Sequence, residues 1–173
     1  MSVVARLGLR PLLFGALLTC ALGSCGLRGE LNGAVYRDGA IAFRIGALPV
    51  RWQRVQVSGG QLAFHHAEGG TILAHASCEP RDDASLNVLT KHLLFGIEQR
   101  REEAATPLSM DGRQALRTRL IGTLDGVIVA LDLVVVKKDG CTYDLELASS
   151  PQVFALRDRD FEQFFAGFAR ISS

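Results

Sequence analysis

The sequence has almost no excess of charge of either sign. It contains 19 lysine and arginine residues against 18 aspartate and glutamate residues, and no segment concentrates the basic ones. Residues 1–24 hold two of the arginines and no acidic residue, so the chain that follows them has a net charge of −1. Binding to nucleic acid requires a dense array of Lys and Arg against the phosphates. We therefore expect no nucleic-acid partner.

The sequence also lacks the short motifs that accompany most cofactor and nucleophile chemistry. It has no Gly-x-Ser-x-Gly, no Gly-Lys-Ser/Thr and no Gly-x-Gly-x-x-Gly segment. Its 4 cysteines and 4 histidines include no Cys-x-x-Cys pair and no two histidines at helical spacing, so no zinc site is predicted. We predict no catalytic residue of these classes, no metal and no cofactor.

A long apolar run is missing as well, but a short one lies near the start. A basic segment precedes an apolar stretch from Pro11 to Leu22, and small residues follow. This is the layout of a secretory signal peptide, and the stretch is shorter than the roughly 20 residues that cross a bilayer. We predict that residues 1–24 form a signal peptide, that 25–33 form a tether and that 34–173 form one domain.

The segment Leu22-Gly23-Ser24-Cys25 resembles the bacterial lipobox, in which a leucine and two small residues precede the cysteine that receives a lipid. The resemblance implies that Cys25 becomes the acylated first residue of an envelope lipoprotein. Two alternatives are ordinary secretory cleavage, which would leave a free thiol, and an uncut helical anchor. The residue after the cysteine is Gly26 and not an aspartate. This resembles the signal for sorting to the outer membrane, where the protein would face the periplasm.

Two cysteines are left for the exported domain, because Cys20 leaves with the signal peptide and Cys25 takes the lipid. Disulfides form in oxidising compartments outside the cytoplasm. We therefore predict a bridge between Cys78 and Cys141. Two separate buried thiols are the alternative, because free cysteine packs well in a core.

The first half of the domain alternates apolar and polar residues, which is typical of strands. Alternation occurs over residues 41–45, then over 61–64 and 72–78, and the break at Gly69-Gly70 predicts a hairpin between the last two.

Helical spacing follows in two places. Apolar residues recur from Leu86 to Ile97, which predicts a helix of about four turns that starts at Asp83 and has Arg100 and Arg101 near its end. Four phenylalanines between Phe161 and Phe168 predict a terminal helix that faces the core.

Turn residues predict the strand register between these helices. Asp125-Gly126 suits a two-residue type I′ turn. That turn opposes Leu116 to Val135 and makes one face of the hairpin apolar. On the other face it opposes Arg119 to Asp132 as an ion pair.

The next turn, at Asp139-Gly140, allows two registers. A two-residue loop would oppose Leu133 to Glu146 and place a carboxylate in the core. A three-residue loop over 138–140 would oppose Leu133 to Leu145 and keep one face apolar. We predict the three-residue loop.

This register would bring Arg119, Asp132 and Glu146 into one row on the polar face of the meander. Such a row would bind a cation or perform acid–base chemistry if burial raised the pKa of one carboxyl group. A solvated ladder of ion pairs is the alternative.

The order of these features resembles the PsbP-like domain, which is found in the extrinsic photosystem II protein and in DcrB-type bacterial lipoproteins. The segments "ALPVRW", "MDGRQALRTR" and "FEQFFAGF" are similar to its proline-to-tryptophan turn, its Asp-Gly turn entering a strand and its closing helix. The resemblance covers residues 34–169. It implies an α+β fold, a single domain in which an antiparallel sheet of about six or seven strands is flanked by two main helices.

The same resemblance implies a non-enzymatic module attached to an assembly. We expect a lipid-anchored protein that binds an envelope protein or an amphipathic ligand, through one sheet face or the loop around Trp52. A hydrolase that uses the row of Arg119, Asp132 and Glu146 is the alternative. An exposed apolar groove would favour the first, and a concave pocket with a desolvated carboxylate the second.

Overall fold

The computed structural model describes residues 29–57, 62–79 and 84–172. The predicted signal peptide, the lipobox with Cys25 and the predicted helix start at Asp83 lie outside these residues.

Six short strands precede the first helix. They are β1 (Glu30–Asn32), β2 (Val35–Asp38), β3 (Ile41–Arg44), β4 (Trp52–Val55), β5 (Leu62–His66) and β6 (Thr71–Ser77). The helix α1 (Leu86–Leu93) is followed by four long strands: β7 (Glu98–Met110), β8 (Arg113–Leu124), β9 (Val127–Lys138) and β10 (Cys141–Ser149). The helix α2 (Pro151–Ala166) and the short strand β11 (Ala169–Arg170) complete the described chain.

These strands form two antiparallel sheets. The main sheet has seven strands in the order β4-β5-β6-β10-β9-β8-β7, and the small sheet has four in the order β1-β2-β3-β11. Two helices flanking an antiparallel sheet confirm the predicted α+β class. The predicted strand number is too low, because the small sheet is additional.

The predicted tether over residues 25–33 is wrong for the part that the structure describes. Residues Glu30–Asn32 form β1, which pairs with β2 in the register Leu31 to Tyr36. Because Tyr36 is fully buried, this segment belongs to the folded domain.

The main sheet is covered on both faces. One face packs against α2 and the small sheet, where Phe161 and Phe164 of the helix and Phe43 of β3 are fully buried. The other face packs against α1 and the turn after it, through Leu94 and Leu133. The predicted core-facing stripe of the terminal helix is confirmed.

Two glycines allow the C-terminal turn of α2 to pack closely. Gly46, just after β3, donates its backbone N–H to the carbonyl of Phe164 over 2.9 Å. A Cβ on Gly46 would overlap the carbonyl oxygen of Gln163, and a Cβ on Gly167 would overlap the backbone of Gly46. Only glycine fits at this contact.

Three Asp-Gly turns join the four long strands, at residues 111–112, 125–126 and 139–140. Both residues of each turn have a positive φ, between 49° and 81°, as a type I′ turn requires. The turn at Asp125-Gly126 opposes Leu116 to Val135 and Arg119 to Asp132. The predicted register of this hairpin is confirmed.

The predicted three-residue loop between β9 and β10 is wrong. Asp139-Gly140 forms a two-residue turn, so Leu133 lies opposite Glu146 and Val135 opposite Asp144. The prediction assumed that one face of the meander is polar. Instead β9 is buried at every residue from Ala130 to Val136, so the polarity of a side chain does not reveal its face.

The predicted four-turn helix is also wrong in length. α1 has 8 residues and ends at Leu93, and Gly96, three residues later, adopts a φ of +83° in the turn that leads to β7. Its N-cap is Ser85, whose side chain accepts a hydrogen bond from the backbone N–H of Val88. Arg100 and Arg101 lie in β7 rather than in the helix.

The predicted hairpin and disulfide are both present. β5 pairs with β6, and Cys78 is bonded to Cys141 with their Cα atoms 4.1 Å apart. β6 also pairs with β10, with Ser77 opposite Thr142. The bridge therefore joins the first hairpin to the meander, as predicted.

Candidate functional site

A buried cluster of charges lies under α2, where β8 meets β9. Asp132 is fully buried, and Arg117 and Arg119 both donate hydrogen bonds to it. The distances are 3.0 Å from Arg117 Nε to Oδ1, 2.6 Å from Arg117 Nη2 to Oδ2 and 3.0 Å from Arg119 Nε to Oδ2. The predicted Arg119–Asp132 pair therefore exists, and a second arginine reinforces it.

Two carboxylates of α2 complete the cluster. Arg117 donates from Nη2 to Asp158 Oδ1 and from Nη1 to Glu162 Oε1, each over 2.9 Å. Arg119 also donates from Nη2 to Asp158. These bonds fix α2 on the sheet. Asp158 and Glu162 were not predicted, although their spacing of four residues places them on one helix face, which is a usable signal.

Burial and hydrogen bonding act in opposite directions on Arg117. Burial alone would lower the pKa of its guanidinium, but the hydrogen bonds to Asp132 and Glu162 raise that pKa above its ordinary value. Arg117 is therefore a permanent cation, and its face packs on the ring of Phe165, 5.0 Å from the centroid.

Glu146 does not join this cluster. Its neighbour Leu147 lies opposite Asp132, so Glu146 points to the other face, between Leu133 and Leu73. The predicted row of Arg119, Asp132 and Glu146 is thus wrong, because the two-residue turn shifts β10 by one position. A hydrolase built on that row lacks its third residue.

The contribution of Glu146 to the stability of the fold depends on pH. Burial raises the pKa of its carboxyl group above the ordinary 4.5, and no described residue forms a hydrogen bond or ion pair with it. The unfolded chain therefore loses this proton at a lower pH than the folded chain does. As a result the folded state loses stability as the pH rises from about 4.5 through the raised pKa.

Glu146→Gln should therefore stabilise the protein at neutral pH by about 1 kcal/mol and flatten this pH dependence. Urea unfolding at several pH values measures both effects. Glu79→Gln, at an exposed position, is the control for removing one negative charge. An E146Q difference that does not grow with pH would contradict the assignment.

An open groove lies beside the charge cluster. It has a volume of about 680 Å³ and runs between β7–β8 and the C-terminal half of α2. Its lining consists of Ala104, Thr106, Leu108, Ser109, Met110, Asp111, Arg117, Arg119, Glu162, Phe165 and Ala166. The volume is typical of sites that take a small ligand or a few side chains of a peptide.

The groove exists because α2 does not extend over β7. Two of the β7 residues facing α2, Ala104 and Thr106, are small and exposed, and they lie opposite Arg119 and Arg117. β7 is an edge strand with β8 as its partner, and it contains Pro107, which an edge strand tolerates.

Asp111 lies at the end of the groove where β7 turns into β8. Its Oδ2 accepts hydrogen bonds from Lys138 Nζ over 2.7 Å and from the backbone N–H of Arg170 over 2.8 Å. Burial alone would raise the pKa of the Asp111 carboxyl group, but the hydrogen bonds from Lys138 and from the Arg170 backbone lower it below its ordinary value. The turn between β7 and β8 is thereby fixed to β9 and β11.

The groove lining combines apolar side chains with charged and hydroxyl-bearing ones. Asp132 is saturated by the two arginines, and the described residues of the lining include no histidine, cysteine or lysine. Among residues 29–57, 62–79 and 84–172, no group of three or more His, Cys, Asp or Glu side chains is placed to hold a metal ion.

The expected role of the loop around Trp52 is not supported by the position of that residue. Trp52 is 6% exposed, and its Nε1 donates to Asp160 Oδ2 over 2.8 Å. It joins β4 to α2 and presents no binding surface.

The described helices are too short and too polar to cross a bilayer.

The arrangement of sheet and helices is similar to the PsbP-like fold, as the structural comparisons show. Cyanobacterial PsbP from Synechocystis sp. PCC 6803 is similar over 87% of this chain and 99% of its own, with a TM-score of 0.56 and 16% identity. LpqN, which is involved in cell envelope biogenesis of Mycobacterium tuberculosis, is similar over 75% of this chain and 84% of its own, with a TM-score of 0.53 and 13% identity.

A protein of Bacteroides thetaiotaomicron is also similar, over 76% of this chain and 46% of its own, with a TM-score of 0.52 and 11% identity. No family model and no curated protein sequence matches the chain. The structural similarity establishes the fold, and the function is argued from the site.

Proposed function

We propose that this protein is a lipid-anchored envelope protein that acts by binding another envelope protein. The groove between α2 and β7–β8 is the docking surface. The observation that carries the proposal is this groove of about 680 Å³, open at a sheet edge and lined by both apolar and charged side chains. The involvement of LpqN in envelope biogenesis supports the location, since that protein shares the fold.

The charge cluster is assigned a supporting role. Asp132 is fully buried and bonded to two arginines, so it is not accessible to a substrate. It holds Arg117 and Arg119 along the floor of the groove, and it places α2 as the wall. A preformed surface of this kind lowers the ordering cost of binding.

The anchor is assigned to Cys25. Cys25→Ser should abolish incorporation of a labelled fatty acid and release the domain from membranes, because the Cys25 sulfur is the atom to which the diacylglycerol is attached. Metabolic labelling and fractionation measure this. Cys20→Ser, within the predicted signal peptide, is the control and should label normally. Unchanged labelling of C25S would contradict the assignment.

Docking is tested by site-specific photo-crosslinking in intact envelopes. A photoreactive residue at Ala104, in the groove, should give a discrete adduct with an envelope protein. The same residue at Asn87, exposed on α1 on the other side of the sheet, should not give that adduct.

A blocking variant decides whether the adduct depends on the groove. Thr106→Trp places a large ring at an exposed groove position, and should remove the Ala104 adduct. Gln53→Trp, at an exposed position on the opposite edge strand β4, should leave it. An adduct that survives T106W, or that forms equally from Asn87, would contradict docking in the groove.

A further inference from the structure

We infer that the segment that docks in this groove is basic and amphipathic, carrying apolar side chains together with at least one Lys or Arg. The inference rests on the proposed function and specifies the chemistry of the partner.

The charge cluster under α2 is not neutral. The cluster contains two arginines and three carboxylates, so it has an excess of one negative charge. Asp132 is fully buried and takes hydrogen bonds from both arginines. The uncompensated charge is therefore carried by the two carboxylates of α2, Asp158 and Glu162. A cation on the partner is complementary to it.

These two carboxylates can accept further hydrogen bonds. Glu162 bonds Arg117 through Oε1, and Asp158 bonds both arginines through Oδ1. Among the described residues, Glu162 Oε2 and Asp158 Oδ2 have no hydrogen-bond donor. The Glu162 side chain is 53% exposed, so its second oxygen is accessible to a Lys or Arg that enters the groove.

Apolar side chains form a wall of the groove. Leu108 of β7 and Phe165 of α2 are partly exposed and line the groove, together with the buried Met110 two residues after Leu108. Alternate residues of a strand are about 6.7 Å apart. Two apolar side chains of an incoming segment would contact this wall while a third, basic side chain reaches Glu162.

Two features oppose other modes of binding. Pro107 and two register irregularities in β7, between Glu98 and Arg101 and between Glu102 and Ala104, make its edge a poor template for strand addition. The acidic excess also disfavours the surface of an anionic membrane.

An anchor at Cys25 would leave the groove accessible. The carbonyl of Gly29, at the start of the described chain, accepts a hydrogen bond from Arg54 of β4. β4 and β7 are the opposite edges of the seven-stranded sheet, about 29 Å apart at the usual strand spacing.

The test measures the affinity of the full chain, reconstituted in neutral-lipid nanodiscs, for three synthetic peptides of about ten residues. One alternates Leu and Lys, the second Leu and Glu, and the third Ser and Lys. Fluorescence anisotropy should show the Leu/Lys peptide binding at least tenfold more tightly than either of the others. Rising salt should weaken this binding.

Two glutamate variants assign the charge effect. Glu162→Gln should weaken binding of the Leu/Lys peptide about three- to tenfold, and Glu79→Gln, exposed elsewhere, should leave it unchanged. Equal binding of the Leu/Glu peptide, or no effect of E162Q, would overturn the inference.

The blocking variant separates this inference from the proposed function. If T106W weakens the binding of the tightest-binding peptide while E162Q has no effect, the groove is the docking surface and the inference of a basic partner is wrong. If T106W changes the affinity of no peptide, the inference of a basic partner is also wrong. The crosslinking experiment alone then decides whether the groove is the docking surface.

Discussion

Asp132→Ala should lower the free energy of unfolding by about 3–5 kcal/mol. The carboxylate is fully buried and bonded by Arg117 and Arg119. Its removal leaves two guanidinium groups crowded beneath α2 with their main counter-charge gone. Urea unfolding, followed by far-UV circular dichroism, measures the loss.

A triple variant tests the physical reason. Arg117→Met, Arg119→Leu and Asp132→Leu together remove the charges along with their desolvation cost, so this variant should be much more stable than D132A. Equal loss in both variants would mean that side-chain packing, rather than unpaired charge, causes the effect. A loss below about 1 kcal/mol in D132A would contradict the assigned ion pairs.

Reduction of the Cys78–Cys141 bridge should lower the melting temperature by about 10 °C. The bridge closes a loop with a sequence separation of 63 residues, and the chain-entropy model gives about 4 kcal/mol for a loop of that length. Thermal unfolding with and without a reductant measures the shift.

The double variant Cys78→Ala/Cys141→Ala provides the control. It should melt near the temperature of the reduced protein and should not respond to the reductant. Membrane association of the wild-type protein should also survive reduction, because the proposed anchor is a thioether and an amide. A melting temperature that reduction leaves unchanged would contradict a stabilising bridge.

The strand register was predictable where the turn residues determine it. Asp125-Gly126 adopts the positive φ values that a type I′ turn requires, and the pairs that it opposes are those predicted. The same reasoning applied to Asp139-Gly140, and it failed only where an assumed polar face was given more weight than the turn. Because α1 and α2 cover both faces of the meander, Glu146 is placed by the turn and not by its polarity.

The elements that were missed have weak sequence patterns. β7 is an edge strand with many charges and Pro107, so it shows neither the alternation of a half-buried strand nor the apolar run of a central one. β1 has 3 residues, which are too few to show the apolar–polar alternation of a strand. α1 was predicted too long because Ile97 continues its apolar spacing beyond Gly96.

The candidate site was predictable only in part for the same reason. Arg119 and Asp132 belong to one hairpin, so a local turn brings them together. Asp158 and Glu162 reach them through the packing of α2 across the sheet, and the groove exists because that helix stops short of β7. Such long-range packing is not encoded in the spacing of residues along one element.

The central claim, that the groove is the docking surface, is tested most directly by hydrogen–deuterium exchange of the anchored protein in native envelopes against the purified protein. The claim predicts slower exchange in envelopes over Ala104–Met110 of β7 and the last turn of α2, with no change at the exposed hairpin tip Leu124–Ile128. Protection at the hairpin tip or on α1, with none along β7, would contradict it.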